Sequence, residues 1–263
     1  MKTVNKYLKI WWLMSARAAQ ISIVSRFGAV IFILGKLLRF LFFFFFLYLL
    51  ASKTKVVANY SLWQVVFFFL SFNLVDTFTQ FFLREVYRFR YYVLSGNFDY
   101  ILTKPISPLF RSLFGGCDVL DIPLLVISLG FIIISAGKIG NISIFPALLY
   151  CLLILNACLI ALSFHIFVLS IGVMTTEVDN TIMLYRDLTQ MGRVPIDIYQ
   201  QPVRSVLTFA IPVGIMMTFP TKALLGLLSW QVVAISIIIS AIFLSGSLFL
   251  WKYSLTRYTS ASS

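Results

Sequence analysis

Long apolar stretches separated by short polar segments fill most of the chain, and this pattern predicts helices that cross a membrane. The clear stretches are 29–51, 62–83, 144–174 and 231–251. As a helix, the first of them would be roughly 34 Å long, which is enough to cross a hydrocarbon core of about 30 Å. The pattern therefore predicts an all-α membrane protein.

One more crossing should start in the polar segment that follows the second stretch. Ser107 followed by Pro108 is a typical helix start, with a serine N-cap and a proline in the first turn. From there we expect an amphipathic lead-in through 115–121, a kink at Pro123 and an apolar end at Ala136.

The region after the fourth stretch allows two interpretations. Residues 178–195 have helical spacing of apolar positions but carry many charges, so taken alone they would form a cytoplasmic loop. Residues 206–228 are apolar, but Pro212 and Pro220 interrupt them, as in a broken or re-entrant helix. Either 206–228 crosses the membrane, or 178–195 crosses and the later stretch re-enters. Both schemes give six transmembrane helices with both termini in the cytoplasm.

The composition supports a polytopic membrane protein. Of the 263 residues, 60% are hydrophobic and 11% are charged, and the mean hydropathy is +0.97. Soluble domains carry about 25% charged residues, so a soluble protein this apolar could not cover its surface. The net charge of +12 does not indicate a nucleic-acid partner, because most of the 21 lysines and arginines lie in short segments beside apolar stretches.

The N-terminal segment 1–28 is predicted to be an amphipathic helix that lies at the membrane interface. Lysines alternate with apolar residues there, and Trp11 and Trp12 suit the depth of the lipid headgroups. The alternative is a solvated tail. The segment lacks the short apolar core and the small-residue cleavage site of a signal peptide, so we do not expect it to be removed.

Two cations lie inside the first apolar stretch. Lys36 and Arg39 are three residues apart and share one face of the predicted helix. One interpretation is that both side chains extend to the inner headgroups. The other is a cationic wall along a pathway for anionic substrates, since charges at this depth are costly.

The sequence shows no motif for catalysis or metal binding. It has no Walker-type phosphate loop, no HExxH and no GxSxG. We interpret the carboxylate pair Asp118 and Asp121 as the polar face of an interfacial helix, and His165 as a packing histidine. The three cysteines lack metal-ligand spacing. We therefore predict no catalytic residue, no metal and no cofactor on this chain, and no enzyme activity of its own.

The segment 84–111 is predicted to be a cytoplasmic loop that contains a short rigid helix. Gly96 permits a chain reversal, and Asn97 can then cap a helix over 98–103. Pro105 would end this helix. Side chains presented to the cytoplasm would be those of Phe98, Tyr100, Leu102 and Lys104. Exposed apolar groups are costly unless a partner binds them, so we predict a protein partner; the alternative is a turn packed against headgroups.

The same loop carries the stretch SGNFDYILTKPISPLF. It resembles the signature G-x-F/L-D-x-x-L-x-K/R-P-x-x-P-L-F of bacterial ABC-transporter permeases of the type-2 exporter class. A later stretch, MGRVPIDIYQQPVRSVLTFAIPVGIMMTFPTKALLG, is similar to a second signature of that group. Together with six spans and a basic N-terminal helix, the resemblance covers nearly the whole chain.

The resemblance implies a permease subunit whose transmembrane domain is 29–263 and which has no ATPase activity. A separate ABC ATP-binding subunit would hold ATP and Mg, and a second permease chain, either a sister or a second copy, would complete a transporter in the bacterial inner membrane. By the same resemblance the cytoplasmic loop is the coupling element that contacts the ATP-binding subunit. The residues assigned to this coupling are Arg88, Gly96, Phe98, Asp99, Leu102, Lys104, Pro105, Pro108, Leu109 and Phe110.

The resemblance also implies that 178–195 is the fifth span and that 200–225 holds the outward re-entrant helices. The residues assigned to a pathway or to the permease dimer interface are Lys36, Arg39, Arg186, Asp187, Pro195, Tyr199, Arg204, Pro212 and Pro220. The expected function is ATP-driven export of a hydrophobic or amphipathic compound. The alternative is an ATP-independent channel or membrane scaffold.

Overall fold

The computed structural model is a bundle of helices. It describes residues 2–24, 26–54, 59–175 and 177–259. Within these ranges, five helices are long and apolar enough to cross a membrane: Arg26–Lys53, Leu62–Leu94, Val119–Ile139, Ile144–Thr175 and Trp230–Arg257. The four clear apolar stretches of the sequence each form one of them, so the all-α prediction is confirmed for the described residues.

The shorter elements fill the segments between the long helices. The α-helices are α1 Lys2–Val24, α2 Arg26–Thr54, α3 Leu62–Leu83, α4 Phe89–Leu94, α5 Asn97–Thr103, α6 Pro108–Leu113, α7 Ile122–Ile139, α8 Ile144–Thr175, α9 Val178–Gln190, α10 Val203–Ser205, α11 Val213–Met217, α12 Phe219–Leu224 and α13 Trp230–Arg257. Short 3-10 turns are formed by Arg84–Arg88, Val119–Asp121, Met191–Arg193 and Ile196–Ile198, and a π-helical turn by Val206–Ala210.

The centre of the bundle is α8, which packs most extensively against α13 and also contacts α3, α9, α11 and α12. Small residues make this packing close. In α13 the buried positions facing its neighbours are mainly serines, Ser236, Ser240, Ser247 and Ser254, whose hydroxyls donate to carbonyls of their own helix. Small side chains that satisfy their own polar groups are typical of helix contacts inside membranes.

The packing of His165 agrees with the sequence interpretation. It lies in α8, is fully buried, and its Nδ1 is 2.8 Å from the Ala161 carbonyl oxygen one turn earlier. Its ring lies 4.9 Å from that of Tyr185, edge to face. Among the described residues it has no carboxylate or second ligand to suggest a metal site.

The predicted lead-in to the third crossing is wrong. α6 has Ser107 as its N-cap, as predicted, but it ends at Leu113, and the crossing starts again at α7. Between the two helices the chain passes close to α1. Gly116 has φ of 111°, and a Cβ at this position would come within 2.7 Å of a backbone oxygen of α1. Pro123 therefore lies in the first turn of α7, where it starts the helix without kinking it.

The N-terminal helix contacts the polar loop and is not a detached tail. The ring of Trp11 stacks on that of Phe82 at 5.8 Å, and Ser15 Oγ accepts a hydrogen bond from the amide of Cys117. α1 therefore lies against the same end of the bundle as residues 84–118. We call this end, which also holds the last turns of α13, the basic end.

The charged stretch 178–195 and the apolar stretch 206–228 fold differently. The first forms α9 and a 3-10 turn, with apolar residues buried on one face. The second is broken into a π-helical turn, α11 and α12, with Pro212 before α11 and Pro220 in the first turn of α12. The proline pattern therefore predicted the interruptions correctly, and 206–228 is not one continuous helix.

Candidate functional site

The short helix predicted in the polar loop is α5, Asn97–Thr103, and it ends before Pro105 as expected. Its N-cap is Gly96, whose φ of 71° is the left-handed conformation that glycine adopts without strain. The prediction that Asn97 caps the helix is wrong. Asn97 is already the first helical residue, and its side-chain amide donates back to Ser95 Oγ at 2.8 Å.

The prediction that Phe98 is presented to the cytoplasm is also wrong. Its side chain is 0% exposed and lies inside the core at the basic end. The rings of Phe89 and Tyr258 are both 5.1 Å away, and that of Trp251 is 6.4 Å away. Burial removes a large apolar surface from water, so Phe98 anchors α5 to the last turns of α13.

The neighbouring Asp99 points to the same anchor. Burial and the charge and hydrogen bonding of Asp99 raise the pKa of the Tyr258 phenol to about 12. Both residues of the Phe98–Asp99 pair thus contact the end of α13.

The exposed face of α5 consists of other residues. Tyr100 is 70% exposed and Leu102 is 36% exposed, and Lys104 is exposed as well. Tyr91 and Leu94 of the preceding helix are exposed as well. Tyr100, Leu102 and Lys104 are therefore exposed, as predicted.

The second half of the motif holds α1 and α6 in place. The Pro105 carbonyl accepts a hydrogen bond from Lys6 at 2.7 Å, and the ring of Phe110 packs edge-on against Tyr7 at 4.8 Å. Pro108 occupies the first turn of α6, and Leu109 packs against the core at this end. These residues position the loop and leave its exposed face to α5.

A buried carboxylate ties the loop together. Glu85 is 4% exposed and accepts hydrogen bonds from Arg111 at 2.6 Å and from the Tyr92 hydroxyl at 2.7 Å. Arg88 lies 3.5 Å from the same carboxylate but is itself mostly exposed. This Glu85 cluster links α4, α6 and the 3-10 turn after α3.

A cavity of about 430 Å³ opens between α2, α3, the start of α7 and α9 with its following turn. Its apolar wall is formed mainly by Phe32, Phe40, Phe43, Phe69 and Phe72. Its charged lining consists of Lys36, Arg39, Arg84, Arg186, Arg193, Asp76 and Asp121. The cavity brings together Lys36, Arg39 and Arg186, which the sequence assigned to a pathway or interface. Asp187 is exposed on α9 and does not line it.

Part of this lining is neutralised by ion pairs. Lys36 pairs with the buried Asp121, and Arg84 pairs with Asp118 and lies 3.7 Å from Asp121. The Lys36 side chain therefore ends at a carboxylate of the same chain. Asp118 and Asp121, interpreted from the sequence as the polar face of an interfacial helix, are ion-pair partners of these cavity cations.

The remaining three cations are less well neutralised. Arg39, Arg186 and Arg193 form no ion pair within 4 Å in the parts of the chain that the structure describes. Their charges, with that of Lys36, act on the carboxylate of Asp76, which lies on α3. Arg193 also stands over the rings of Phe43 and Phe72, at 5.1 and 5.7 Å. We call these three arginines the open cluster.

The other residues assigned to the pathway or interface lie at the opposite end of the bundle. There Asp197 accepts hydrogen bonds from Tyr60 at 2.8 Å, from Lys222 and from Arg204. Burial alone would raise the pKa of the Asp197 carboxyl. The hydrogen bonds from Lys222 and Tyr60 and the charges of Lys222 and Arg204 outweigh burial, so this pKa lies below its usual value.

This Asp197 cluster orders the broken helices. Pro195 is buried at the start of the 3-10 turn that carries Asp197, and the Tyr199 hydroxyl donates to the Met191 carbonyl at 2.9 Å. Pro212 and Pro220 start α11 and α12. Arg204 is the only one of these assigned residues that takes part in the ion pairs of the described cluster.

Comparison with known families decides the identity of the chain. The model of the family described as ABC-2 family transporter protein matches residues 37–262. The chain belongs to the ABC-2 family. No curated protein and no solved structure matches it.

As an ABC-2 family member, the chain is a permease subunit of an ABC transporter, a multi-pass membrane protein that associates with an ABC ATP-binding subunit. The match begins at Leu37, so it includes Arg39 and the open cluster but excludes α1. Among the described residues, no group of three or more His, Cys, Asp or Glu side chains is placed to hold a metal ion.

The sequence did not show the places of Arg193, Asp121 and Asp197 in these candidate sites. Arg193 and Asp121 reach the cavity only through tertiary packing, since Asp121 and Lys36 are 85 positions apart. Asp197 did leave a signal in the sequence. It is the last carboxylate of the chain, and only cations follow it, so any buried cation after it has no other acid nearby in sequence.

Proposed function

We propose that this permease exports an amphipathic compound, driven by ATP that a separate subunit binds and hydrolyses with Mg. The observation that carries the proposal is the construction of α5. Its outer face is apolar and exposed, whereas Phe98 on its inner face is buried against α13. A partner that moves the outer face would therefore move a transmembrane helix.

The contacts at the two ends of α9 support six crossings. At its start, Asp179 pairs with Arg90 of the basic end at 2.7 Å. Shortly after its end, Asp197 pairs with Tyr60, which lies at the opposite end between α2 and α3. The segment from Val178 to Asp197 therefore runs the length of the bundle, although α9 alone is short for a crossing.

With α9 counted, both α1 and the last turn of α13 lie at the basic end. An excess of lysine and arginine marks the cytoplasmic side of membrane proteins, so we place the basic end and both termini in the cytoplasm of a bacterial cell. The broken helices α10 to α12 then lie near the outer face. Irregular backbone at that depth is tolerated where protein buries it, and most side chains of α11 and α12 are buried.

The path from α5 to the cavity is short and packed. The 3-10 turn Arg84–Arg88 and α4 continue directly from α3, and α4 packs against α5 through Phe89 and Phe98. α3 carries Asp76 and two phenylalanines of the cavity wall. We propose that closure of the ATP-binding subunits shifts α5 and α4, and that this shift reaches the cavity through α3 as a rigid-body movement.

A second permease chain would explain the exposed side of α9. Arg186 and Asp187 are exposed there, next to exposed Met183 and Leu184. Charged side chains inside a bilayer are costly against lipid and favour a protein or water-filled surface. We therefore propose that this face meets the second permease, which is either a sister chain or a second copy.

The experiment is to purify the tagged chain from membranes of its own host and to measure ATP hydrolysis in the eluate. We expect the unchanged chain to bring down an ATPase. The double change Tyr100→Ala with Leu102→Ala should remove most of that activity, because it removes the exposed apolar face without touching the core. Tyr48→Ala, an exposed tyrosine on α2, serves as the matched control and should have no effect.

An eluate without ATPase activity from the unchanged chain would contradict the proposal and favour an ATP-independent channel or scaffold. Equal ATPase recovery with the double variant would contradict the assignment of the docking face to α5.

A further inference from the structure

The cavity between α2, α3 and α9 has a charge imbalance that the chain itself does not correct. Five cations and two carboxylates line it. Asp118 lies outside the lining and neutralises Arg84, so an excess of two positive charges remains. The imbalance is located at the open cluster of Arg39, Arg186 and Arg193, which share the single carboxylate of Asp76.

Uncompensated cations in a membrane domain are expensive, and they persist where a ligand or a water-filled pathway uses them. Arginine is suited to an acid group, because its planar guanidinium donates two parallel hydrogen bonds to a carboxylate or a phosphate. Three arginines around one space can hold an acid group from several sides. The excess positive charge of the open cluster therefore favours an anionic ligand.

The phenylalanines of the lining favour a ligand with an apolar body. Phe40, Phe43, Phe69 and Phe72 line the cavity, and Phe43 and Phe72 lie directly under the Arg193 guanidinium. A volume of about 430 Å³ is within the range of ligand pockets, roughly 300–1,000 Å³. At Gly35, on the lining, a Cβ would meet nothing within 4 Å, so there is free space on the α2 side.

We infer that this cavity binds an anionic amphiphile, with a phosphate or carboxylate head group at Arg39, Arg186 and Arg193 and the apolar chain against the phenylalanines. The inference rests on the proposed function in one respect, namely that the bound amphiphile is the transported substrate. Binding itself requires no ATP-binding subunit.

The test measures equilibrium binding to the purified chain in detergent, with three probes. These are oleoyl lysophosphatidate, monooleoylglycerol with the same chain but no charge, and inorganic phosphate. We expect lysophosphatidate to bind at least tenfold more tightly than monooleoylglycerol, and more weakly as salt is raised. Inorganic phosphate should not displace it at millimolar concentration, because it lacks the chain.

Two pairs of variants separate the head-group and chain contacts. Arg39→Gln with Arg193→Gln should weaken lysophosphatidate binding at least tenfold and leave monooleoylglycerol unchanged. The control Arg17→Gln, an exposed arginine on α1, should change neither. Gly35→Leu fills the free space and should weaken both probes, whereas Gly130→Leu, where a Cβ also meets nothing within 4 Å, should weaken neither.

Equal binding of the charged and neutral probes would overturn the inference, as would full affinity in the double arginine variant. Displacement of lysophosphatidate by millimolar phosphate would show that the cavity binds anions without regard to an apolar chain, and this result would also overturn the inference. These results leave the proposed function standing if an ATPase still purifies with the chain. Tight, charge-dependent binding with no ATPase in the eluate would support the binding of an anionic amphiphile in the cavity and would contradict the proposal of ATP-driven export.

Discussion

The Glu85 cluster and the open cluster differ in whether their charges are paired. At the basic end, one buried carboxylate is surrounded by Arg111, Arg88 and the Tyr92 hydroxyl, so each of its oxygens has a partner. In the cavity, three arginines share the field of one carboxylate, Asp76, and none forms an ion pair in the described ranges. The first arrangement stabilises a fold, whereas the second leaves charge for a ligand.

The Asp197 cluster at the opposite end resembles the Glu85 cluster. Its carboxylate also receives two cations and a tyrosine hydroxyl from different segments of the chain. Such clusters stabilise short helices and turns, which contain few backbone hydrogen bonds of their own. The comparison therefore predicts that charge changes at the two ends affect stability, and that charge changes in the cavity affect binding.

The largest stability effect is expected from Glu85→Gln. It leaves Arg111 without its carboxylate, and a broken buried pair costs 3–5 kcal/mol; because Arg111 is partly exposed, we expect about 2 kcal/mol. A lower midpoint of thermal unfolding in detergent would show it. Glu177→Gln, at an exposed glutamate just before α9, should lie within about 0.5 kcal/mol of the unchanged chain. Equal midpoints for both variants would show that the Glu85 cluster does not stabilise the fold.

Asp197→Asn should cost about 1–2 kcal/mol at pH 7, since it weakens charge-assisted hydrogen bonds from Lys222 and Arg204. The folded pKa of Asp197 is depressed, so its contribution is fully present above the unfolded value of about 3.9 and is lost as pH falls through the lower folded value. The difference in unfolding midpoint between the unchanged and variant chains should therefore shrink from pH 7 to pH 3. A difference in midpoint that stays constant with pH would show that the variant is not destabilised by the loss of the carboxylate charge. Asp187→Asn, on an exposed site, controls for general effects of acid.

Asp76→Asn should strengthen binding of oleoyl lysophosphatidate. It removes the one carboxylate that competes with the anion for the three arginines, and a solvent-screened coupling of about 1 kcal/mol corresponds to roughly fivefold in affinity. Titration of the charged probe against the variant measures it. Weaker binding of the probe would mean that Asp76 organises the arginines and does not compete with the ligand.

Arg39→Gln should have the smallest effect on stability, within about 0.5 kcal/mol, because Arg39 is exposed and has no ion pair in the described chain. Thermal unfolding in detergent is the measurement, with Arg111→Gln as the contrast. A loss as large as that of Arg111→Gln would place Arg39 among the structural cations.

The outline of the fold could be predicted from the sequence, because long apolar runs and prolines act locally. The four clear spans, the short α5 and the interruptions at Pro212 and Pro220 all follow from neighbouring residues. The break after Leu113 could not be predicted, since it depends on α1 packing against Gly116.

The candidate sites depend more strongly on tertiary contacts. The sequence predicts a short helix that carries Phe98, with a glycine before it and a proline after it, but it does not show which residues cover that helix. Trp251 and Tyr258, which bury Phe98, come from the far end of the chain. The sequence marks Lys36 and Arg39 as unusual cations for a membrane helix. It does not show that Lys36 forms an ion pair and that Arg39 forms none among the described residues. Asp121, which neutralises Lys36, lies in another helix.

The most direct measurement is ATP hydrolysis by the reconstituted complex of this permease with its ATP-binding subunit, with and without the two lipid probes. We expect oleoyl lysophosphatidate to stimulate hydrolysis severalfold and monooleoylglycerol to leave it unchanged. We also expect Arg39→Gln with Arg193→Gln to remove the stimulation by oleoyl lysophosphatidate. Equal stimulation by both probes, or full stimulation in the double variant, would contradict this expectation.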